Sequence, residues 1–393
     1  MIARIVIPII LVVLLTDWYV DRRFIRMCRL HRRALRCCWW LQTTLVVVYS
    51  VSLALSKNFA PDNFDLLSWY LLLLTVWILP KLVFVVCSAL GWGHCVYHKT
   101  KTNWGNPIGL LCGFILACMS IYAYTLGFSK LEIRHVTYYS KDLPQAFDGY
   151  RIVQFSDAHV GTYGETRAGV LNAAIDSMNA QKADMIVFTG DLQNMRPTEL
   201  LPHQKALGSL KAKDGVYSIM GNHDYAYYIE ADENTRKANL QRMMDLQKQM
   251  GWQLLMNENR VVRRGTDSIV VAGMEYEGKS VKVPNKGDIK KTLHGIDANH
   301  AFVVMLQHDP TSWRTDILPH SRAQLTLSGH THAGQVEIFG WSPISLLYKE
   351  WGGMYYEGKR AINVSTGLGG FVPFRIGCPG EIVVVELRKG KLS

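Results

Sequence analysis

The chain has 393 residues, 49% of them hydrophobic and 19% charged, which exceeds one average domain and favours two units of unequal kind. Its net charge of +11 does not mark a nucleic-acid partner, because Arg22, Arg23, Arg26, Arg29, Arg32, Arg33 and Arg36 crowd into one short segment between apolar runs. Its eight cysteines exclude a disulfide framework in the C-terminal part, where Cys378 is the only one.

Up to about Gly127 long apolar runs alternate with short polar or basic stretches, and from Ser129 onward apolar and polar residues mix as in a soluble protein. Residues 1–128 therefore read as a helical membrane domain and 129–393 as a second, soluble domain. Four runs, 2–15, 38–55, 66–90 and 108–127, approach the roughly 20 apolar residues that a span needs. The first is short, and three spans with an interfacial first segment is the alternative. A signal peptide is disfavoured, since a basic run and no small-residue cleavage site follows it. Arg22-Arg23 as a twin-arginine signal lacks a closely following apolar stretch.

By the positive-inside rule the arginine-rich loop is cytoplasmic, as is the loop with His94, Lys99 and Lys101, and the loop with Lys57, Asp62 and Asp65 is outside. Counting four spans predicts a multi-pass protein of the cell membrane with the soluble domain on the outer face, periplasmic or extracellular. Losing one span reverses that inference. The basic loop also suits anionic lipid headgroups.

After Ser129, short β-branched runs alternate with helical patterns, the signature of an α/β sheet packed between helices. Residues 151–155, 185–189, 217–220, 302–306 and 324–327 read as strands, with 269–272, 361–364 and 382–387 adding enough for two sheets. Helical patterns fill 165–181 and 232–250.

Five polar clusters each follow one of these strands: Ser156-Asp157-Ala158-His159, Gly190-Asp191, Gly221-Asn222-His223-Asp224, Gln307-His308-Asp309 and Gly329-His330-Thr331-His332. Ligand sites in α/β folds form outside the carboxyl ends of strands. Residues two apart in extended chain point the same way, which pairs Asp157 with His159 and His330 with His332. Carboxylate, imidazole and amide oxygen suit divalent metals such as Mn, Fe, Zn or Co. Seven such ligands are too many for one ion and about right for two. Two divalent ions about 4 Å apart hold the attacking and leaving oxygens of a phosphate ester in line and acidify a bridging water to the hydroxide nucleophile.

The ordered motifs resemble the calcineurin-like metallophosphoesterase superfamily, from Arg151 to about Leu387. The resemblance implies a four-layer α/β/β/α sandwich and two divalent ions, Mn favoured over Fe or Zn. It implies Asp157, His159 and His332 on the first metal, Asp191 bridging, and Asn222, His308 and His330 on the second. His223 matches the family's catalytic histidine, with Asp224 orienting its imidazole. The tail, Leu327 to Gln335 followed by Ser365-Thr366-Gly367-Leu368-Gly369 and Pro373-Phe374-Arg375, is similar to the membrane-associated bacterial branch, some of whose members cleave the pyrophosphate of UDP-diacylglucosamine. Asn194, where a second acidic residue is common, and Ala333, where glycine is common, depart from that branch and bear on substrate.

Arg375 is a candidate for a bidentate contact to substrate phosphate, with a structural salt bridge as the alternative. The aromatics Trp341, Tyr348, Trp351, Tyr355 and Tyr356, with Tyr225, Tyr227 and Tyr228, read as core or a loop cap, or, if exposed, as a surface for an acyl chain or membrane interface. The expected partners are the lipid bilayer and a phosphorylated lipid or other phosphoester, with oligomeric state open. The expected activity is hydrolysis of a phosphodiester or pyrophosphate bond of a lipid-linked or membrane-proximal substrate. The alternatives are a phosphatase of soluble nucleotides and a catalytically silent membrane sensor, whose spans should carry ionisable residues, of which Lys81 is the main one.

Overall fold

The computed structural model describes residues 3–28, 32–56, 64–164, 166–297 and 300–390. Ile2, Arg29, Lys57, Asp62 and Glu165 lie outside the described residues. The chain divides into two compact units, Met1–Thr125 and Leu126–Ser393.

The first unit consists of α1 (Ala3–Arg23), α2 (Arg32–Leu55), α3 (Phe64–Leu73), α4 (Leu79–His98) and α5 (Gly105–Tyr122). A π turn, Leu74–Ile78, joins α3 and α4 into one continuous helix. Pro80 explains it, because a proline inside a helix lacks an N–H and its ring meets the carbonyl four residues back, which a wider turn relieves. Among the described residues, Arg33–Leu55, Asp65–His98 and Gly105–Gly127 are long and apolar enough to cross a membrane. On α5, a Cβ at Gly113 would lie 3.0 Å from the Pro80 carbonyl oxygen, so the missing side chain lets α5 approach α4 closely.

α1 is a helix of 21 residues that continues past the apolar run and carries Asp17 and Asp21, both fully buried. Asp17 accepts from Lys81 Nζ at 2.5 Å, Thr43 Oγ1 at 2.8 Å and Gln42 Nε2 at 3.2 Å. Asp21 accepts from Arg36 Nε at 2.8 Å and Arg26 Nε at 3.1 Å. Lys81 also lies over the Trp39 ring, 5.4 Å from its centroid. The ionisable residue that stood out in the third apolar run thus has a partner 64 positions earlier, just beyond the end of the first run.

The second unit contains β1 (Leu131–Ser140), β2 (Tyr150–Phe155), β3 (Met185–Phe188), β4 (Val216–Ser218), β5 (Gln253–Leu254), β6 (Glu258–Arg264), β7 (Asp267–Gly273), β8 (Phe302–Leu306), β9 (Leu325–Ser328), β10 (Gly353–Glu357), β11 (Arg360–Val364) and β12 (Gly380–Lys389). They form two six-stranded sheets, in the orders β1-β12-β2-β3-β4-β5 and β10-β11-β9-β8-β7-β6. Alternation along each strand sorts the side chains into layers. Ile152, Met185, Val187 and Val385 meet Ile269, Val271, Val304 and Leu325 between the sheets. Val153, Phe155, Ile186 and Phe188 turn outward onto Leu171, Ile175, Met243 and Leu246 of the covering helices. Val270, Val303, Met305 and Val364 pack against Trp313 and Ile317 on the opposite outer face. This is the α/β/β/α sandwich expected from the sequence.

The helix Ala168–Ala180 lies within the predicted 165–181. The helix Glu233–Gln249 starts where Asp232 caps it by accepting Thr235 N–H, inside the predicted 232–250. Sequence reading missed β1, β5, β6 and β10, all four on the outer two positions of a sheet. Such strands face solvent on part of their surface and carry weaker apolar runs. β1, for example, interleaves Glu132, Arg134 and His135 with apolar residues.

Candidate metal centre

The loops that leave β2, β3, β4, β8 and β9 converge at the carboxyl ends of the strands. Parallel pairing of β2 with β3 and of β3 with β4 in one sheet, and of β8 with β9 in the other, brings these ends to the same side. The backbone bends sharply there. Asp157, His159, Asp191, His330 and His332 all have φ between 45° and 76°, a region that costs a non-glycine residue energy and is concentrated at functional sites. Gly221 and Gly329 permit close approach, since a Cβ at either would collide with the Asp191 or the Asp157 carboxylate respectively.

Two groups of ligand atoms form, each within 4.8 Å: Asp157, His159, Asp191 and His332 in one, Asp191, His308 and His330 in the other. Asp191 belongs to both. Its Oδ2 lies 3.3 Å from His308 Nε2 and 3.7 Å from His159 Nε2, and its Oδ1 accepts His223 N–H at 2.8 Å. Asp157 lies 3.3 Å from His332 Nε2 and accepts the His330 N–H. His308 Nδ1 faces the Thr189 carbonyl at 2.7 Å, and since a carbonyl only accepts, Nδ1 carries the proton and Nε2 points into the centre. Asn222 Oδ1 lies 3.1 Å from that Nε2, while its Nδ2 donates to the Tyr228 hydroxyl at 2.8 Å. All seven predicted ligand residues are therefore gathered in one place.

His223 stands beside them, half-buried, with its ring centroid 4.8 Å from that of His159. Its Nδ1 donates to the Asn194 carbonyl at 2.6 Å, and Tyr228 stacks on it at 4.3 Å and 15°. The expectation that Asp224 orients this imidazole is corrected by the structure. The Asp224 carboxylate accepts the backbone N–H groups of Asp191, Leu192, Gln193 and Gly221, and so ties the β3 loop to the β4 loop. Four N–H groups converging on one anion out-compete a ring whose donor is already bonded to a nearer carbonyl.

Arg375 is corrected as well. It is buried, and its guanidinium donates to the carbonyls of Thr366, Gly367, Gly369, Cys378 and Pro379, stapling the glycine-rich loop behind Asp157 and His332. Those donors are spent on backbone, so the side chain has a structural role in place of a contact to substrate phosphate.

Sequence reasoning also missed three partners. The Asn194 and Thr189 carbonyls left no signal, since backbone acceptors have no residue type. The Tyr348 hydroxyl, 3.0 Å from His330 Nε2, belongs to the aromatic stretch, and only its distance from the histidine distinguishes it from its neighbours.

The electrostatics fit cations. Burial, with His223 close by, keeps His159 neutral, and burial pushes His332 down to about 4. Burial opposes charge on His308 too, yet Asp191 pulls it up to about 10. Burial alone would raise Asp191, but His308 and His223 hold it well below the carboxylate range. Both ring nitrogens of His159 and Nδ1 of His332 are buried without a hydrogen-bond partner. Buried polar atoms are normally satisfied, so uncommitted lone pairs beside two carboxylates are what a pair of divalent ions would require.

Residues 3–128 match the family described as probable calcineurin-like phosphoesterase, transmembrane domain, and residues 150–334 the family described as calcineurin-like phosphoesterase. A metallophosphoesterase of Bacillus subtilis is 32% identical over 279 residues, 68% of this chain and 89% of that protein. A Danio rerio transmembrane protein with metallophosphoesterase domain is 27% identical over 71% of this chain, which spans 62% of that relative's length. A Campylobacter jejuni metallophosphoesterase is 25% identical over 98% of this chain and 97% of its own.

Proposed function

Because this chain belongs to the metallophosphoesterase family of metal-dependent phosphoric ester hydrolases, we propose that it cleaves a phosphodiester or pyrophosphate bond of a lipid-linked or membrane-proximal substrate at a two-metal centre. The observation that carries this reading is the pair of ligand groups sharing Asp191, with buried imidazole nitrogens left uncommitted. Asp157, His159 and His332 would hold one ion, Asn222, His308 and His330 the other, and Asp191 would reach both. Manganese is the favoured ion. When bound, the pair supplies the positive charge that draws a phosphate oxyanion and acidifies the attacking water.

The chain's own residues do the rest. Asp224 and Arg375 hold the loops that carry the ligands, by bonds to backbone N–H and carbonyl groups respectively. With Nδ1 committed to Asn194, Nε2 of His223 is the nitrogen left to pass a proton to the leaving oxygen. Tyr228 fixes the plane of that ring and the amide of Asn222 together. The membrane helices favour a substrate that resides in or beside a bilayer. We assign residues 1–128 to the anchor and 129–393 to the catalytic domain, and with α1 counted as a fourth span beside the three longer apolar helices, the basic loop around Arg22 to Arg36 supports the outer face for the latter.

The test is manganese-dependent hydrolysis by the detergent-purified full chain on phosphomonoester, phosphodiester and lipid pyrophosphate substrates, beside Asp191→Asn and His223→Ala. Turnover highest on one lipid substrate and lost in both variants is the expected result. Turnover confined to soluble phosphomonoesters would sink the lipid reading, and none on any substrate would sink the enzymatic one.

A further inference from the structure

Residues 338–347, Ile-Phe-Gly-Trp-Ser-Pro-Ile-Ser-Leu-Leu, carry no charge, yet most of their large apolar side chains lie on the surface. Phe339 is fully exposed, Leu346 is 79% exposed, Leu347 68%, Trp341 52% and Ile338 46%. Ile338 and Trp341 exchange N–H to carbonyl bonds of 2.8 and 3.1 Å across a two-residue turn. Phe339 and Gly340 at its tip have φ of 51° and 77°, the hairpin geometry that favours Asn-Gly. An aromatic residue there is strained, and its side chain recovers nothing by burial. Folding stability accounts for neither the strain nor the exposure, so a contact outside the fold is the remaining reason for a phenylalanine at this tip.

The tip stands on a rigid base beside the metal centre. Ser342, fully buried, donates to the Ala333 carbonyl next to His332. Lys279 Nζ donates to the Leu347 carbonyl at 3.2 Å and lies 5.1 Å over the Tyr348 ring, whose hydroxyl meets His330. Lys279 and Lys349 add exposed cations to this surface. Of the flanking acids, Glu350 is buried in an ion pair with Arg314 and Glu337 is half-buried.

We propose that this hairpin is a second membrane contact, separate from the transmembrane helices. Phe339, Trp341, Leu346 and Leu347 enter the headgroup and upper acyl region of a bilayer, and Lys279 and Lys349 meet lipid phosphates. A bilayer is the occupant because the chain carries its own membrane helices and so always has that apolar phase within reach. An uncharged aromatic and leucine tip flanked by lysines matches the interface in both polarity and charge.

The test uses the full chain in nanodiscs of phosphatidylcholine and phosphatidylglycerol that contain a phospholipid with a photoactivatable acyl chain, the adducts being mapped by mass spectrometry. Adducts are expected on residues 338–347 as well as on the membrane helices, falling about tenfold in a Phe339→Ser, Leu346→Ser double variant. Adducts confined to the membrane helices would overturn the proposal, as would cross-links between two copies through 338–347, or labelling there only by a diacyl phosphodiester and not by bulk lipid. The same double variant should keep wild-type hydrolysis of a soluble phosphodiester and lose about tenfold on a vesicle-embedded one. That kinetic arm rests on the lipid-substrate reading. Hairpin adducts in a wild-type protein that hydrolyses no lipid would count against that reading and support the membrane contact.

Discussion

Asp17 and Asp21 in the helical unit and Asp157 and Asp191 in the catalytic unit are all buried carboxylates, but they are satisfied differently. Asp17 takes a lysine, a threonine and a glutamine, and Asp21 takes two arginines, with each charge matched by side chains of the same unit. At the metal centre the carboxylates face histidines, of which His159 and His332 keep ring nitrogens unused. A buried charge that is fully paired locks helices together. A buried cluster with unspent ligand capacity is an invitation to a cation, and the strained backbone at Asp157, His159, Asp191, His330 and His332 shows that the fold maintains it at a cost to itself.

The largest test of this contrast is Asp191→Asn, which alters both ligand groups at once. It should lower kcat/KM by roughly a thousandfold or more, the several kcal/mol that two ions supply, and reduce bound manganese measured by elemental analysis. The thermal unfolding of the helical unit should not move. Lys81→Met should do the reverse. Leaving Asp17 unpaired should destabilise the helical unit by about 3 kcal/mol, seen as earlier loss of helical circular dichroism on heating, while hydrolysis of a soluble phosphodiester stays at the wild-type rate. Adding Asp17→Asn should restore most of the loss, and failure to do so would remove the pairing argument.

Tyr228 offers a finer comparison within the centre, because one side chain serves its neighbours in two ways, by its ring and by its hydroxyl. Tyr228→Phe keeps the stack on His223 and loses the hydroxyl's bonds to Asn222 and Ser280, whereas Tyr228→Ala loses the stack as well. The expected reductions in kcat are a few-fold and about tenfold or more, with metal content falling little in either. Equal losses in both variants would assign the whole effect to the hydroxyl and its bonds to Asn222 and Ser280.

The smallest effect is at Glu199, a largely buried carboxylate that accepts the N–H groups of Asn194, Met195 and Arg196 near the carbonyl that orients His223. Burial pushes it up to about 7 from an ordinary 4.5. The folded chain therefore holds this proton more tightly than the unfolded one, and the stabilisation is complete below about 4.5 and lost as pH rises through 7. Thermal unfolding temperature should fall over that window in the wild type and fall less steeply in Glu199→Gln.

Much of this protein was legible from its sequence because the relevant signals are local. Apolar runs mark membrane helices, short β-branched runs mark the strands at the middle of each sheet, and a glycine or polar residue directly after such a strand marks where a ligand can leave it. The five clusters named all seven residues that the fold gathers, along with His223. Only tertiary structure decided what those side chains and their neighbours touch. Asp224 follows His223 in sequence, yet it serves four backbone N–H groups. Arg375 looked like a phosphate ligand, yet both its terminal nitrogens donate to carbonyls. Lys81 finds its counter-ion in a different helix, and an uncharged loop that could have been core exposes Phe339 to its outside. Periodicity reports which face of an element a residue occupies, because it depends on neighbours a few bonds away. The partner a buried polar group takes depends on which donors the packed elements bring within about 3 Å, and chain order does not encode that distance.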